Sequence, residues 1–306
     1  MMKNVFIDGS AGTTGLRIWE RLSVRKDLNL IQLPDSLRKS TEARKDAINS
    51  ADIAFLCLPD DAAIEAVSLI ENPNVKVIDT STAHRTNEDW IYGFAELSKE
   101  HRQAICQANR VANPGCHASG FIASVYPLIA NGLLSPSFPI TAYSLTGYSG
   151  GGKSLIAEYQ DNNRDIRHES HRIYGLNLTH KHLPEMKKIC SLTQSPVFSP
   201  ILGDFYAGMA TTVLLPSYEA ERVWEILKSH YEGQKIISVA PLGGDESVIY
   251  ASTLAGKDTM RIIVSGHSEQ TMVTAVFDNL GKGASGAAIQ NMNILLGIEE
   301  TTGLNL

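Results

Sequence analysis

The chain is poor in cysteine: four in 306 residues, at positions 57, 106, 116 and 190, with no two spaced as paired metal ligands. This excludes a disulfide framework and a cysteine-rich zinc site. A positive balance is missing too, since 27 basic residues stand against 33 acidic ones for a formal net charge of -6, with no concentrated basic stripe. The electrostatic footprint of a nucleic-acid binder is therefore absent. Long apolar runs are lacking as well. The longest are strand-sized, and "MMKN" leads directly into an apolar strand without the charged segment and apolar core of a secretory leader. Together these absences point away from nucleic acid and membrane and toward a soluble cytoplasmic protein, long enough for two domains.

What is present begins with "NVFIDGSAGTTGLRIWERL", a strand, a glycine turn and a helix whose Leu16, Trp19 and Leu22 recur at helical spacing. Gly9, Gly12 and Gly15 form a G-x-x-G-x-x-G variant of the dinucleotide fingerprint. Without side chains they let a phosphate approach the N–H groups at a helix N-terminus, and Thr13 and Thr14 add hydroxyls. An ordinary close turn is the plain reading of the same glycines. The following "LNLIQL", "ADIAFLCLP" and "VKVIDT" read as strands and "DAAIEAVSLI" as a helix. This alternation predicts an α/β fold with a Rossmann-like, doubly wound, mostly parallel sheet. After the second strand, "PDSLRKS" offers Asp35 to a ribose, as in NAD binding, and Ser36, Arg38 and Lys39 to an added 2'-phosphate, as in NADP binding. Solvated loop charge explains Arg38 and Lys39 equally well.

The character of the chain changes near 111–116. Beyond it, "FPITAYSL", "AGMATTVLL", "SVIYAST" and "MRIIVSG" read as strands among loops rich in Gly, His and Ser, predicting a second, α+β catalytic domain. The last run, "GASGAAIQNMNILLGI", places Ala287, Ala288, Met292 and Leu295 in a helix. The expected domains are a nucleotide-binding domain over 1–115, a catalytic domain over 116–283, and a helix over 284–306 returning to the first.

The segment richest in chemistry is "VANPGCHASGFIASVYPL". Pro114 and Gly115 make a turn, and Ala118, Phe121, Ile122, Val125, Leu128 and Ile129 form an apolar helical face, so Cys116 sits at the mouth of a helix. The N–H groups and positive helix end there favour the thiolate, the attacking form of cysteine. At a reference pKa of about 8.5 only a few per cent is ionised at pH 7, so this field or a nearby imidazole must raise the fraction. A small buried residue at a helix start is the bland alternative. Cys57 and Cys106 read as strand or core, and Cys190 has no nucleophile pattern around it.

A base is offered by "NLTHKHLPEM", where His180 and His182 share a face if extended, Pro184 interrupts a helix, and Glu185 can orient an imidazole or bind a polar substrate group. Acid-base or substrate contact is the first reading, a metal pair lacking a third ligand the second, and a structural pair the next. In "NNRDIRHESHR", Arg164, Arg167 and Arg172 can grip phosphate or carboxylate, or lie on a solvated helix or an oligomer contact. The stretch "GYSGGGKS" at 147–154 fits the ATP-cradling phosphate loop, with Lys153 and Ser154 in the motif positions. It follows both a complete nucleotide-domain pattern and Cys116, and no later strand offers an obvious metal-binding carboxylate. It is read as part of a substrate site, with Ser149, Gly150 and neighbouring backbone positioning substrate or stabilising an oxyanion.

Taken together, "GSAGTTG", "DTSTAHR", "NPGCHASG", "GYSGGGK", "HKHLPEM" and the terminal "GASGAAIQNMNILLG" make the chain resemble, over essentially its whole length, the short form of the N-acetyl-gamma-glutamyl-phosphate reductase family, in the semialdehyde dehydrogenase superfamily. The resemblance implies NADPH-dependent reduction of an acyl-phosphate amino-acid substrate, N-acetyl-glutamyl 5-phosphate, to its semialdehyde in arginine biosynthesis, with no metal required. It implies Cys116 as nucleophile and His182 or His180 as the acid-base group. Ser149, Gly150, Glu185, Arg164 and Arg167 are expected at the substrate. Gly9, Ser10, Gly12, Thr13, Thr14, Gly15, Ser36, Arg38, Lys39 and Asn291 are expected at the cofactor. A homodimer or homotetramer assembled through 116–283 is expected, with hydride passing across the cleft between the domains. The chain departs from the family at His117 and Ser119, where an aromatic residue or serine and then a threonine are commoner. Aspartate-semialdehyde dehydrogenase shares the fold and thiol chemistry, and "HKHLPEM" favours the acetyl-glutamyl substrate over it. A phosphate-loop ATPase or kinase, and a silent NADPH-binding regulator, are the readings from other classes.

Overall fold

The computed structural model describes residues 2–244 and 247–306. The chain separates into two units: one runs to Pro114 and adds Ala284–Leu304, the other comprises Gly115–Gly283 with Asn305–Leu306. In the first unit, β1 (Lys3–Asp8), α1 (Thr13–Ser23), β2 (Leu28–Ile31), α2 (Thr41–Ser50), β3 (Ile53–Leu56), α3 (Asp60–Ser68), β4 (Lys76–Asp79), β5 (Ile91–Tyr92), α4 (Lys99–Gln107) and β6 (Arg110–Ala112) follow one another. The sheet order is β2-β1-β3-β4-β6-β5 and every pairing is parallel. Successive strand residues enter opposite cores. Val5, Ile7, Ile53 and Phe55 join Ile18 and Leu22 of α1 on one face, while Phe6, Ala54 and Leu56 join Ala47 and Ile48 of α2 on the other. Helices thus cover both faces, which is why these strands read as unbroken apolar runs and not as alternating ones. The unit is a Rossmann-like, doubly wound sheet. "DTSTAHR" turns the chain at the end of β4, where the buried Asp79 carboxylate accepts from Ser81 Oγ at 2.7 Å and meets His84 Nδ1 at 2.6 Å.

The second unit carries α5 (Cys116–Ala130), β7 (Thr141–Gly147), α6 (Gly152–Gln160), β8 (Arg172–Ile173), α7 (Leu183–Ile189), β9 (Val197–Gly203), β10 (Met209–Pro216), α8 (Ala220–His230), β11 (Ile237–Val239), β12 (Met260–Gly266) and β13 (Gln270–Phe277). These strands form a mixed sheet in the order β11-β12-β13-β10-β7-β9-β8. Helix α5 packs on β10 and β13, and its residues from His117 to Val125 are all buried. Closely apposed backbones demand small residues: a side chain at Gly120 would strike Thr211, its Cβ lying 2.6 Å from Thr211 Oγ1. The final helix, α9 (Gly286–Leu295), belongs to the first unit and packs against α1, α4 and β4.

One local expectation fails. "SVIYAST" forms no strand: Val248 and Tyr250 are 60% and 70% exposed, and 251–256 is a run of turns. Its β-branched and aromatic content signals a fit to a half-buried pleated surface, and no neighbouring strand supplies one here. Of the two readings of Cys106, strand or core, the second holds: it lies in helix α4 and packs against the core of the first unit.

Candidate active site

Cys116 is the first residue of α5, and Gly115 before it provides no side-chain cap. The Gly115 N–H donates instead to Glu185 Oε2 at 3.1 Å, so the buried Glu185 ties α7 to the turn that carries the thiol. On the other side, Gly283 lies so close that a Cβ there would sit 3.0 Å from Cys116 Cβ. Burial pushes Cys57 up to about 12 and raises Cys190 further, which suits core residues and not nucleophiles.

Three imidazoles gather in the second unit, one of them on the residue that follows Cys116. The His180 and His182 ring centroids are 4.8 Å apart, and His117 lies 5.3 Å from the first and 5.6 Å from the second. Phe198 walls the cluster at 5.4 Å from His117 and 5.5 Å from His180. The two histidines of "HKH" do not share the face of an extended segment; they sit in the turn where His182 becomes the N-cap of α7. In that turn the His182 backbone N–H donates to His180 Nδ1 at 3.2 Å. His180 therefore has its lone pair on Nδ1 and its proton on Nε2. Burial, with the Lys181 charge behind it, pulls His180 down to about 4. His117 is pulled down to about 3 by burial first, then by His180 and Lys181. Both rings are neutral at physiological pH.

His117 links two further groups: Nδ1 meets Ser144 Oγ at 2.8 Å and Nε2 meets Tyr174 Oη at 2.8 Å. Ser144 Oγ in turn meets Thr211 Oγ1 at 2.8 Å, the two being register partners across β7 and β10. Burial, reinforced by negative charge at Cys116, raises the Tyr174 phenol. Neither Tyr174 nor Thr211 stood out in the sequence. The tyrosine follows a charged run, "RHESHR", without periodicity, and Thr211 reaches the site only through strand register.

The "GYSGGGKS" turn leaves β7, and its glycines serve backbone packing. Gly147 N–H donates to Gly208 O, Tyr148 N–H to Phe205 O and Ser149 N–H to Tyr206 O, at 3.0, 2.9 and 2.9 Å. A Cβ at Gly147 would stand 2.7 Å from the carbonyls of Phe205 and Tyr206. Asn279 locks the turn further, donating from Nδ2 to Ser149 Oγ at 2.9 Å and accepting from Gly208 N at 2.9 Å. Lys153 and Ser154 are exposed. Arg164 is engaged by both Asp204 oxygens at 2.7 Å, and the exposed Arg167 pairs with Asp165 at 2.6 Å, so each already faces a carboxylate of this chain. Among the described residues no cluster of three or more His, Cys, Asp or Glu side chains is arranged to hold a metal ion.

Comparison with known proteins gives the family of the chain. Residues 116–279 match the family profile "Semialdehyde dehydrogenase, dimerisation domain", and residues 34–105 match "Semialdehyde dehydrogenase, NAD binding domain". Proteins of Brucella ovis and Brucella canis, each named N-acetyl-gamma-glutamyl-phosphate reductase, are 48% identical to this chain over 309 residues, covering 97% of it and 100% of each relative. The chain belongs to the N-acetyl-gamma-glutamyl-phosphate reductase family. The fold is shared more widely. Aspartate semialdehyde dehydrogenase II from Vibrio cholerae, complexed with ASA, aligns with a TM-score of 0.73 at 17% identity, covering 97% of this chain and 99% of that one. Aspartate semialdehyde dehydrogenase with NADP from Candida albicans aligns with a TM-score of 0.66 at 14% identity, with the same coverages.

The family's nicotinamide cofactor is matched by the first unit. Gly9 adopts a φ of +84° and a Cβ there would lie 2.2 Å from Cys57 O, while one at Gly15 would lie 2.4 Å from Gly9 O. These two glycines hold a tight turn whose helix, α1, starts without a side-chain cap. Its first-turn N–H groups have no intrahelical partner, which suits a bound phosphate. Thr13 Oγ1 is buried there without a hydrogen-bond partner, and Gly12, Ser10 and Thr14 are partly accessible around it. Ser36, Arg38 and Lys39 are exposed beyond β2, where Asp35 is held by Arg38 at 2.7 Å. Asn291 lies apart from that turn, fully buried on α9, with Nδ2 donating to Gly93 O at 2.9 Å and Asn113 Oδ1 at 3.2 Å, and with Oδ1 unpartnered.

Proposed function

We propose that this protein reduces N-acetyl-L-glutamyl 5-phosphate to N-acetyl-L-glutamate 5-semialdehyde and phosphate, using NADPH, in cytoplasmic arginine biosynthesis. The observation that carries the reading is Cys116 on the uncapped start of α5, followed directly by His117, whose ring packs with those of His180 and His182. The Cys116 thiolate attacks the acyl carbon, the bond to phosphate oxygen breaks, and an acyl thioester remains on Sγ. The cofactor, when bound, supplies the hydride that reduces this thioester. Collapse of the resulting thiohemiacetal breaks the carbon–sulfur bond and releases the aldehyde, with one imidazole moving the proton.

His182 is the better candidate for that proton. His180 has its Nδ1 lone pair occupied by the His182 N–H and its proton on Nε2, so it has no free site to accept another. Glu185 fixes the turn before Cys116, and Ser149 and Gly150 face the substrate from a turn already held in place. Arg164 and Arg167 reach substrate only by exchanging Asp204 or Asp165 for it. Gly9, Ser10, Gly12, Thr13, Thr14 and Gly15 take the cofactor phosphates, with Asn291 also on the cofactor. The exposed Ser36, Arg38 and Lys39 select NADP through its 2'-phosphate. The active species is a homodimer or homotetramer built through the second unit.

The test is the reverse reaction: semialdehyde, phosphate and NADP or NAD are supplied, and NADPH or NADH formation is followed. Acetyl-glutamyl semialdehyde with NADP is the expected pair, and Cys116→Ser abolishes the rate. Activity confined to aspartate semialdehyde would overturn the substrate, and undiminished turnover without the thiol would overturn the mechanism.

A further inference from the structure

We infer that Tyr174, aimed by His117, is a catalytic hydrogen-bond donor to the acyl oxygen as the substrate carbonyl becomes bonded to Cys116. The inference rests on Cys116 being the acyl-carrying thiol, and it adds an oxyanion donor and the relay that orients it.

The direction of every proton in the relay follows from its buried end. Thr211 is fully buried, and its only described hydroxyl contact is Ser144 Oγ. A buried hydroxyl proton without an acceptor is unfavourable, so Thr211 donates to Ser144. Ser144 has one proton, and it goes to His117 Nδ1. A neutral imidazole that accepts on one nitrogen donates from the other, so His117 Nε2–H donates to Tyr174 Oη. The Tyr174 proton is left pointing away from the imidazole. The reverse order would strand the Thr211 proton and turn the Tyr174 proton back onto His117.

This order requires a neutral His117, and burial keeps it neutral down to about pH 3. Burial, with negative charge at Cys116, also keeps the phenol protonated, so Tyr174 donates a hydrogen bond and does not act as a base. A preset donor adds to what the "GYSGGGKS" turn can offer. The N–H groups of Gly147, Tyr148 and Ser149 are already engaged by the carbonyls of Gly208, Phe205 and Tyr206. His117 is a positioning residue, acting through Tyr174. Gly120 belongs to the same device, since a Cβ there would displace Thr211 Oγ1.

The experiment compares two reactions of the Cys116 thiol in the full-length protein, each corrected by subtracting the Cys116→Ser rate. In the first, p-nitrophenyl acetate acetylates Sγ: a carbon–sulfur bond forms through a tetrahedral oxyanion, and the bond to p-nitrophenolate breaks. In the second, iodoacetamide alkylates Sγ with loss of iodide and no oxyanion forms. Tyr174→Phe is expected to slow the p-nitrophenolate burst about 100-fold, the scale of one lost oxyanion donor, and to leave the alkylation rate unchanged. Ser144→Ala frees the His117 tautomer and is expected to slow the burst about 5- to 10-fold, again without touching alkylation. Combining the two substitutions should be no slower than Tyr174→Phe alone, because the serine acts through the phenol.

A wild-type burst in Tyr174→Phe overturns the inference. So do parallel losses in acetylation and alkylation, or a full further loss from Ser144→Ala in the Tyr174→Phe background. Lack of turnover with acetyl-glutamyl semialdehyde, alongside the expected burst pattern, rejects the proposed substrate and upholds the donor.

Discussion

Twice the chain passes from a strand to a helix through glycines, at 9–15 and at 147–152, and the two turns treat their backbone N–H groups in opposite ways. In the first, α1 opens with no side-chain cap, Thr13 Oγ1 is buried without a partner, and glycine is compelled at Gly9 by its φ and by Cys57 O. In the second, three successive N–H groups donate to carbonyls at 205–208, and Gly147 is small so that those carbonyls can approach. The second turn has the better match to a phosphate-loop pattern and the poorer means of holding a phosphate. Residue identities at fixed spacing state what a turn permits. Hydrogen-bond accounting states what it is free to bind.

The sharpest way to break the comparison is Gly9→Ala. The added Cβ meets a backbone carbonyl at 2.2 Å in a left-handed conformation, so neither partner can yield cheaply. The expected stability loss is about 3 kcal/mol or more, from steric clash added to backbone strain. Denaturant unfolding measures it, and a fluorescence titration with NADPH should show affinity lost in whatever fraction still folds. An alanine carried with wild-type stability and affinity would mean that this turn is not held as described.

Asn279→Ala probes the other turn. It removes the donor to Ser149 Oγ and the acceptor for Gly208 N–H, both buried. Leaving those groups unpaired costs about 1–3 kcal/mol. NADPH affinity should stay unchanged, because the second turn is assigned to substrate. A variant that loses cofactor affinity while keeping its melting temperature would reverse the roles of the two turns.

What could be read in advance follows the range of the interactions. The central strands of the first unit are covered on both faces, so Val5, Phe6 and Ile7 are all apolar and the strand declares itself locally. Helix α5 declares itself by its apolar face, and with it the position of Cys116. The relay depends on register and is silent in the sequence. Thr211 lies 67 residues from Ser144 and meets it only because β7 and β10 pair in that alignment. Asn279 likewise reaches Ser149 across 130 residues. His180 and His182 were legible as a pair, but their turn geometry, which separates an occupied Nδ1 from the N-cap residue, depends on how α7 starts. "SVIYAST" shows the converse, a strong strand composition with no strand to pair with.

The smallest expected effect discriminates most between readings of "GYSGGGKS". In an ATP cradle, Lys153 would reach the nucleotide phosphates and its removal would abolish nucleotide binding. Here Lys153 is exposed at the start of α6, beyond a turn whose preceding N–H groups are engaged elsewhere. Lys153→Ala is therefore expected to change stability by no more than about 0.5 kcal/mol, as for an ordinary surface substitution. Calorimetric titration should find no magnesium-dependent ATP binding in either protein and equal NADPH binding in both. ATP binding by the parent that disappears in the alanine variant would restore the phosphate-loop reading and erase the contrast between the two turns.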